Sequence, residues 1–250
     1  GNSMFYNFLQ RVALFFVLNK KLRVVATSEV YRNGSDFLMK MRPDLVEVCR
    51  LCIPEPAHLV LKKFNNLSKR KLNKAGRKTI LAVGRLVPYK NFEELIRVMP
   101  LLPQDLFLRI VGDGPLRHRL IEVISELKLD HRVELLHSLD REQLIDQYKC
   151  ADVFCLPSNT RAEAFGIVLI EAIAAGLPIV VNGDLKSGSV EVASTYPYSF
   201  MFKAGSQFSL KSAILESLDC SVDNGVSRNV FRENFSLEQC NQTFLQILKK

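Results

Sequence analysis

The stretch PSNTRAEAFGIVLIEAIAAGLPIV, residues 157–180, carries an apolar helix between two short hydrophobic runs. Gly176-Leu177-Pro178 ends the helix, because glycine permits the closing turn and proline cannot continue the helix. Glu163 lies in the loop before the helix, and Glu171 lies within its first two turns. A carboxylate among apolar residues is costly to bury without a partner, so the two glutamates point to a ligand.

Short apolar runs alternate with amphipathic stretches along most of the chain. Strands are predicted at 23–27, 45–53, 79–83, 106–111, 132–136, 153–156 and 179–181. Helices are predicted at 5–20, 31–41, 92–102, 116–127, 141–148, 166–175 and 237–250. This alternation predicts an α/β fold with a doubly wound parallel sheet, in which ligands bind beyond the carboxyl ends of the strands.

The composition is that of a soluble globular protein. The 250 residues are 48% hydrophobic and 24% charged, which leaves room for one large or two small domains. The apolar run 12–18 is too short to cross a bilayer, and six irregularly spaced cysteines suggest reduced thiols. We therefore expect a cytoplasmic protein, with a peripheral position at the inner face of the membrane as a further option.

The formal net charge of +8 draws largely on one segment without acidic residues. Its cations are Lys62, Lys63, Lys69, Arg70, Lys71, Lys74, Arg77 and Lys78. Such a segment is either a solvated linker or helix face, or a contact for anionic lipid or another polyanion. Because no zinc-finger spacing or RNA-binding aromatic signature accompanies it, nucleic-acid binding is a minor alternative.

The loop GRLVPYKN, residues 84–91, follows the predicted strand 79–83. Gly84 lets the backbone turn tightly and approach a ligand. Arg85 and Lys90 place two cations at the ligand-binding edge of the sheet, a combination that suits a diphosphate. The alternative is two surface cations without a shared partner.

The start of the helix in the opening stretch offers a second element of the same site. Phe165, Gly166 and Ile167 lie where free backbone amides and the helix dipole favour an anion. Glu171 could accept hydrogen bonds from a ribose diol, and Glu163 could reach a group beyond the phosphates. Otherwise Glu163 complements the helix dipole and Glu171 is a solvated or salt-bridged helix residue.

Three motifs, in this order and spacing, resemble one known family. GRLVPYKN (84–91), GDGP (112–115) and AEAFGIVLIEAIAAGLPIV (162–180) are similar to the donor-binding, Rossmann-like C-terminal domain of retaining GT-B glycosyltransferases, family four (group one). The resemblance covers about residues 79–192 and continues more weakly through ENFSLEQ (233–239), which is similar to the last helix of the family.

The resemblance implies a role for each matched residue. Arg85 and Lys90 would hold the donor diphosphate, Glu171 the ribose and Glu163 the transferred sugar, so that Glu163, Arg85 and Lys90 are the catalytic candidates. The remaining donor-binding candidates are Gly84, His137, Ser138, Leu139, Phe165, Gly166 and Ile167, with residues 137–139 near the base. His137 replaces a usual glycine, and the usual Gly-Gly-x-x-Glu loop is here 187–191, where only Gly188 and Glu191 fit.

The resemblance also implies a domain division. Residues 1–53 would be a remnant of the N-terminal acceptor domain, residues 54–250 the donor-binding domain, and the last helix, about 237–250, would cross back to the first. A complete two-domain protein needs about 350 residues, so the chain is expected to be incomplete for catalysis.

The implied activity is transfer of a hexose with retention of its anomeric configuration. The donor is a nucleotide-diphospho-sugar, expected to be a UDP-sugar. The acceptor is expected to be a glycan or lipid-linked molecule in surface polysaccharide or glycoconjugate synthesis. No cofactor or metal is expected, because cations and a helix end can neutralise the leaving diphosphate. The alternatives are a non-catalytic nucleotide-sugar-binding module and a basic nucleic-acid-binding protein. Cys49 and Cys52 have redox or zinc spacing but are interpreted as structural thiols.

Overall fold

The computed structural model describes residues 23–55, 57–65 and 77–249. The strands are β1 (Val24–Ala26), β2 (Val46–Val48), β3 (Lys78–Val83), β4 (Leu106–Val111), β5 (Val133–Leu136), β6 (Val153–Leu156), β7 (Ile179–Asn182) and β8 (Ser199–Phe202). The helices are α1 (Glu29–Asn33), α2 (Asp36–Met39), α3 (Ala57–Asn65), α4 (Phe92–Val98), α5 (Arg117–Glu126), α6 (Arg141–Cys150), α7 (Ile167–Ala174), α8 (Gly188–Ser194), α9 (Gln207–Asp219), α10 (Asn224–Phe235) and α11 (Leu237–Leu248). The predicted helix 5–20 and most of the basic segment lie outside the described residues.

The larger sheet is parallel throughout, with the strand order β5-β4-β3-β6-β7-β8. Numbered from β3, this is the order of the doubly wound dinucleotide-binding fold, so the predicted fold class is confirmed. The strand β8 was not predicted, because an edge strand pairs on one side only and its Ser199-Phe200-Met201-Phe202 sequence is only partly buried.

Alternate residues of each strand enter different apolar layers. In β3, Leu81 and Val83 belong to the layer that contains α3, α6, α7 and α10. Ile80 and Ala82 belong to the opposite layer, which contains α4, α5 and α9. Helices on both faces exclude water from the sheet, as a parallel sheet requires.

The sheet grows in opposite directions from its two adjacent central strands, β3 and β6. From β3 it adds β4 and β5 on one side, and from β6 it adds β7 and β8 on the other. The register pairs Ile80 with Val153 and Leu81 with Phe154, so the loops after both strands begin side by side. The amide of Asn159 donates to the carbonyl of Tyr89 at 2.9 Å and joins the two loops. This switch point is where a doubly wound sheet binds its ligand.

A smaller unit precedes the large sheet. The parallel strands β1 and β2 and the helices α1 and α2 share a small core of Ala26, Leu38, Met41, Leu45 and Val46. The predicted single helix 31–41 is wrong: Gly34 and Ser35 interrupt it, and the Ser35 side chain caps the second helix. The predicted strands 23–27 and 45–53 are also shorter, at three residues each.

Glu191 joins the small unit to the large sheet. The residue is 9% exposed, and its carboxylate accepts from the Arg50 guanidinium at 2.9 Å and from the amide of Val30 at 3.1 Å. Arg50 also donates to Asn234 on α10 at 3.0 Å. Glu191, which matches the glutamate of the family's Gly-Gly-x-x-Glu loop, therefore has its described contacts at this junction.

Two predicted boundaries in the helices need correction. The predicted helix 92–102 is α4 followed by a 3₁₀ turn, Met99–Leu101, because Pro100 cannot continue the α-helical hydrogen bonds. The ENFSLEQ stretch spans the end of α10 and the start of α11, with Ser236 capping α11 through the amide of Gln239. The last helix exposes three large apolar side chains, Phe244, Leu245 and Leu248.

Candidate active site

Gly84 and Gly112 let the backbone converge at the carboxyl end of β3 and β4. Both have positive φ, 156° and 149°. A Cβ on Gly112 would lie 2.0 Å from the carbonyl oxygen of Gly84, and one on Gly84 would lie 3.0 Å from Cε of Lys90. Glycine at position 84 therefore leaves the space over the end of β3 that the Lys90 side chain occupies.

Lys90 and Glu163 meet at this end of the sheet. The Lys90 Nζ lies 2.5 Å from Glu163 Oε2, and the two residues are 7% and 6% exposed. The Ser158 hydroxyl donates to the same carboxylate oxygen at 2.7 Å, and the carbonyl of Ser158 accepts from Asn182 at 3.1 Å. Sequence reasoning missed Ser158, although a polar residue two positions beyond the end of a buried strand was a usable signal.

Arg85 lies close to this pair but is exposed. Its guanidinium makes no hydrogen bond or ion pair with any residue in the described ranges and is therefore available to a ligand. Burial, followed by the negative charge of Glu163, raises the pKa of Tyr89, and the charge of Arg85 lowers it. The Lys90 ammonium lies 5.6 Å from the centre of the Tyr89 ring. The structure thus brings together two cations, one carboxylate and a phenol from the loops after β3 and β6.

The helix α7 begins without a side-chain cap. Gly166 is its N-cap residue, with φ of 81°, and no side chain accepts from the first-turn amides at this position. Phe165 is 2% exposed and packs edge-on against Phe235, so its side chain anchors the loop while its amide belongs to the helix entry. Ile167, the first helical residue, is 41% exposed. An uncapped helix start of this kind can receive an anion.

Gly188 holds the loop before α7 in place. Its amide donates to the carbonyl of Ala164 at 2.9 Å, and a Cβ on Gly188 would lie 2.5 Å from that oxygen. The approach explains why a glycine fits here, whereas the neighbouring Ser187 and Ser189 bind each other through their hydroxyls at 2.7 Å.

Glu171 has a partner of its own, on the side of α7 that faces α6. Its Oε2 accepts from the Tyr148 hydroxyl at 2.8 Å. Burial raises the pKa of Glu171, and the Tyr148 hydrogen bond and the charge of Arg141 lower it. Of the residues in the described ranges, only Tyr148 forms a hydrogen bond with this carboxylate, which leaves Oε1 available to a ligand.

The predicted base-contacting loop is held by Asp113. One oxygen of this carboxylate lies 2.7 Å from Nδ1 of His137, and the other accepts from the amide of Ser138 at 2.7 Å. The Ser138 bond is the main reason why the pKa of Asp113 is lowered, and the contact with His137 acts in the same direction. His137 and Ser138 are exposed, whereas Leu139 packs partly against the core. Sequence reasoning quoted the GDGP loop but did not assign this role to its aspartate.

The cysteine pair 49 and 52 lies outside this site. Cys49 Sγ is 3.8 Å from Cys240 Sγ on α11, and burial raises the pKa of Cys49 to about 11 and that of Cys52 to about 12. Protonated thiols are weak nucleophiles and poor metal ligands, as expected for structural cysteines. Within the described residues no three His, Cys, Asp or Glu side chains cluster to hold a metal ion, and no helix combines the length and apolarity needed to cross a membrane.

Comparison with known families gives one match that spans most of the chain. The family model described as "Glycosyl transferases group 1" matches residues 63–235. The match contains every residue of the cluster at the switch point and the loop that Asp113 holds.

Curated relatives match over shorter stretches. A GDP-mannose-dependent alpha-(1-6)-phosphatidylinositol monomannoside mannosyltransferase of Mycolicibacterium smegmatis is 37% identical over 114 residues, 42% of this chain and 30% of the relative. A Campylobacter jejuni N-acetylgalactosaminyltransferase that acts on N-acetylgalactosamine-N,N'-diacetylbacillosaminyl-diphospho-undecaprenol is 34% identical over 142 residues, 57% of this chain and 38% of the relative. In the first relatives the matched stretch is 27–32% of the relative's length.

A solved structure covers more of the molecule. HepE of Anabaena, crystallised in complex with UDP and glucose, superposes on 100% of this chain and 69% of its own, with a TM-score of 0.79 and 19% identity. At this identity the likeness establishes the shared GT-B fold.

Proposed function

The chain belongs to the group 1 glycosyl transferases, and we therefore propose that it supplies the donor-binding half of a retaining hexosyltransferase. The donor is a nucleotide-diphospho-sugar, and the acceptor is a glycan or lipid-linked saccharide of surface polysaccharide or glycoconjugate synthesis. The observation that carries the proposal is the buried Lys90–Glu163 pair beside the exposed Arg85, at the switch point of the sheet.

The diphosphate of the donor binds between the two cations and the start of α7. Arg85 offers a planar fork, Lys90 a point charge, and the uncapped amides of Phe165, Gly166 and Ile167 further donors. As the sugar departs, negative charge grows on the diphosphate, and these groups stabilise it without rearrangement. The arrangement supports a reaction that needs neither a metal nor another cofactor.

Glu163 faces the transferred sugar and Glu171 the ribose. Glu163 is held by Lys90 and Ser158 through one oxygen, Oε2, which leaves Oε1 for a sugar hydroxyl. The base lies against residues 137–139, which Asp113 keeps in place. A UDP-sugar is the preferred donor, because HepE was crystallised with UDP and glucose, although the mannosyltransferase of M. smegmatis uses GDP-mannose.

The acceptor is held by another domain, to which residues 1–53 belong. The last helix supports this division, since α11 turns Phe244, Leu245 and Leu248 away from the described core. Holding the acceptor hydroxyl in near-attack geometry lowers the activation free energy of such a reaction by several kcal/mol. A chain without the facing domain therefore binds donor and transfers little. Transfer of radiolabelled sugar to membrane-lipid acceptors at rates typical of a complete enzyme, on the order of 1 per second or above, would contradict this division.

We further propose that the protein contacts the membrane surface peripherally. Lys62, Lys63, Arg141 and Lys149 line a cleft of about 570 Å³ together with the acids Glu142 and Asp146. Glu55 pairs with Lys63 and Arg141, and Asp146 pairs with Lys149, but the four cations still outnumber the three acids Glu55, Glu142 and Asp146. This balance favours anionic lipid headgroups near a lipid-linked acceptor. Sedimentation with anionic vesicles, but not with neutral ones, tests this placement.

Calorimetric titration tests the donor assignment directly. We expect UDP to bind with a dissociation constant on the order of micromolar to millimolar, equally well with EDTA and with Mg²⁺, and more tightly than UMP because of the second phosphate. Indifference to UDP together with salt-dependent binding of single-stranded or duplex nucleic acid would favour the basic nucleic-acid-binding alternative and overturn the proposal.

A further inference from the structure

The Tyr148 ring is fixed before it reaches Glu171. The residue is 1% exposed, and its ring packs against Phe154 at 5.7 Å and edge-on against Phe64 at 6.3 Å between centroids. From this position its hydroxyl lies 2.8 Å from Glu171 Oε2 and 3.3 Å from the carbonyl of Val168. A phenol held by two other aromatic rings has little freedom to follow a moving carboxylate.

Other charged groups near Glu171 are engaged elsewhere. Lys63 on α3 and Arg141 on α6 border the same small cavity, of about 20 Å³, as Tyr148 and Glu171. Both cations pair with Glu55, at 2.8 and 3.0 Å. Tyr148 therefore supplies the hydrogen bond that orients the carboxylate, whereas Arg141 acts on Glu171 only through its charge.

We propose that Tyr148 is a positioning residue for nucleotide binding, which holds Glu171 Oε2 so that Oε1 faces the ribose diol. The inference rests on the proposed function, because it takes Glu171 as the ribose-binding group. A phenol that binds one oxygen of a carboxylate selects one rotamer and leaves the other oxygen free to accept from two adjacent hydroxyls. Nucleotides that lack the ribose hydroxyls gain nothing from this arrangement.

The same hydrogen bond sets the charge of Glu171. Burial raises the pKa of this carboxyl, and the Tyr148 bond and then the Arg141 charge lower it. Without the hydroxyl the pKa rises, and a larger fraction of Glu171 is protonated at mildly acidic pH. A protonated carboxyl is a weaker acceptor, so the affinity for a ribose nucleotide falls at a higher pH than in the parent.

The test compares UDP with 2′,3′-dideoxyuridine diphosphate by calorimetry, on the full chain, from about pH 8 to about pH 5.5. The variants are Tyr148→Phe, which keeps the ring, and Glu171→Gln. Tyr196→Phe is the matched control, since it removes another buried hydroxyl, one that binds Ser227 at 2.9 Å away from the site. Melting without nucleotide reports whether each variant folds.

We expect Tyr148→Phe to weaken UDP binding about threefold to tenfold at pH 8, the range for one net hydrogen bond, and more strongly as the pH falls. Binding of the dideoxy nucleotide stays at the parent level, and Tyr196→Phe changes neither ligand. If Tyr148→Phe binds UDP like the parent at every pH while Glu171→Gln loses the preference for ribose, the positioning role is wrong and the proposed function stands. If Glu171→Gln keeps that preference, the ribose assignment itself is wrong, and the inference falls with it.

Discussion

Lys90 and Glu163 form an ion pair of 2.5 Å in which both residues are more than nine-tenths buried. The lysine comes from the loop after β3 and the glutamate from the loop after β6. Burying two charges costs several kcal/mol per ion before their attraction offsets it, and apolar residues of similar volume often serve stability as well or better. The pair is therefore better explained by the ligand it serves than by the stability of the fold.

Removing one partner of this pair should be more damaging than removing both. Lys90→Met leaves Glu163 buried without its cation, and we expect a loss of about 3–5 kcal/mol in the free energy of unfolding. Adding Glu163→Gln neutralises the site and should restore most of the stability but not UDP binding. Chemical denaturation and calorimetry measure the two effects, and a double variant no more stable than Lys90→Met would contradict the explanation.

Arg85 should affect the ligand and not the fold. Because its guanidinium is exposed and makes no polar contact within the described ranges, Arg85→Ala should leave the melting temperature of the free protein unchanged. The rise in melting temperature that UDP produces in the parent should disappear. Arg119→Ala, a surface arginine on α5 that pairs with Glu93 and Glu122, controls for the loss of one positive charge. A variant at position 85 that binds UDP like the parent would remove this residue from the site.

The contact between Gly112 and Gly84 leaves no room for a methyl group. Gly112→Ala places Cβ 2.0 Å from a backbone oxygen at a positive φ, so the loops after β3 and β4 must separate. We expect a loss of about 2–3 kcal/mol in the free energy of unfolding, from overpacking and backbone strain together. Gly205→Ala is the control, since its φ is also positive but no atom lies within 4 Å of the added carbon, and strain alone should cost about 1–2 kcal/mol.

Asp113 should govern selectivity among nucleotide bases. Asp113→Asn weakens the bonds to His137 and the Ser138 amide, so affinities for UDP and GDP should converge while binding of pyrophosphate stays unchanged. The pKa of Asp113 is lowered in the folded protein. The stability that its charged form contributes to the fold is therefore present above the usual aspartate pKa and is lost as the pH falls through the lowered value. Competition titrations with the three ligands check the prediction, and an unaltered preference for one base would place the base elsewhere.

The positions of the central strands along the chain could be predicted because each buried strand carries its own apolar run. β3, β4, β6 and β7 lie within one residue of their predicted bounds, since both faces of such strands are covered and their sequences show it. The edge strand β8 and the helices α8 to α10 could not be found this way, because their packing depends on neighbours distant in sequence.

Some residues of the candidate site could also be predicted from the sequence, whereas the partners that orient them could not. Glycines and cations next to strand ends are visible in the sequence, and the fold brings Lys90 and Glu163 together as a shared sheet edge would suggest. The partners that orient them are not visible: Ser158 acts on Glu163, Tyr148 on Glu171 and Asp113 on the base loop. Each is an ordinary polar residue until the tertiary structure fixes its direction.

The pairing of β3 with β6 also determines when the site can exist during folding. Strands β3, β4 and β5 follow one another and can associate early, but β6 must return across the intervening chain to reach β3. Lys90 and Glu163 are separated by 73 residues, and long-range parallel pairing of this kind is slow because the loop must close before contacts compensate for it. The ligand-binding end of the molecule thus forms only when the two halves of the sheet join, and a nascent chain released before β6 and Glu163 emerge carries Lys90 without its partner and cannot form the site.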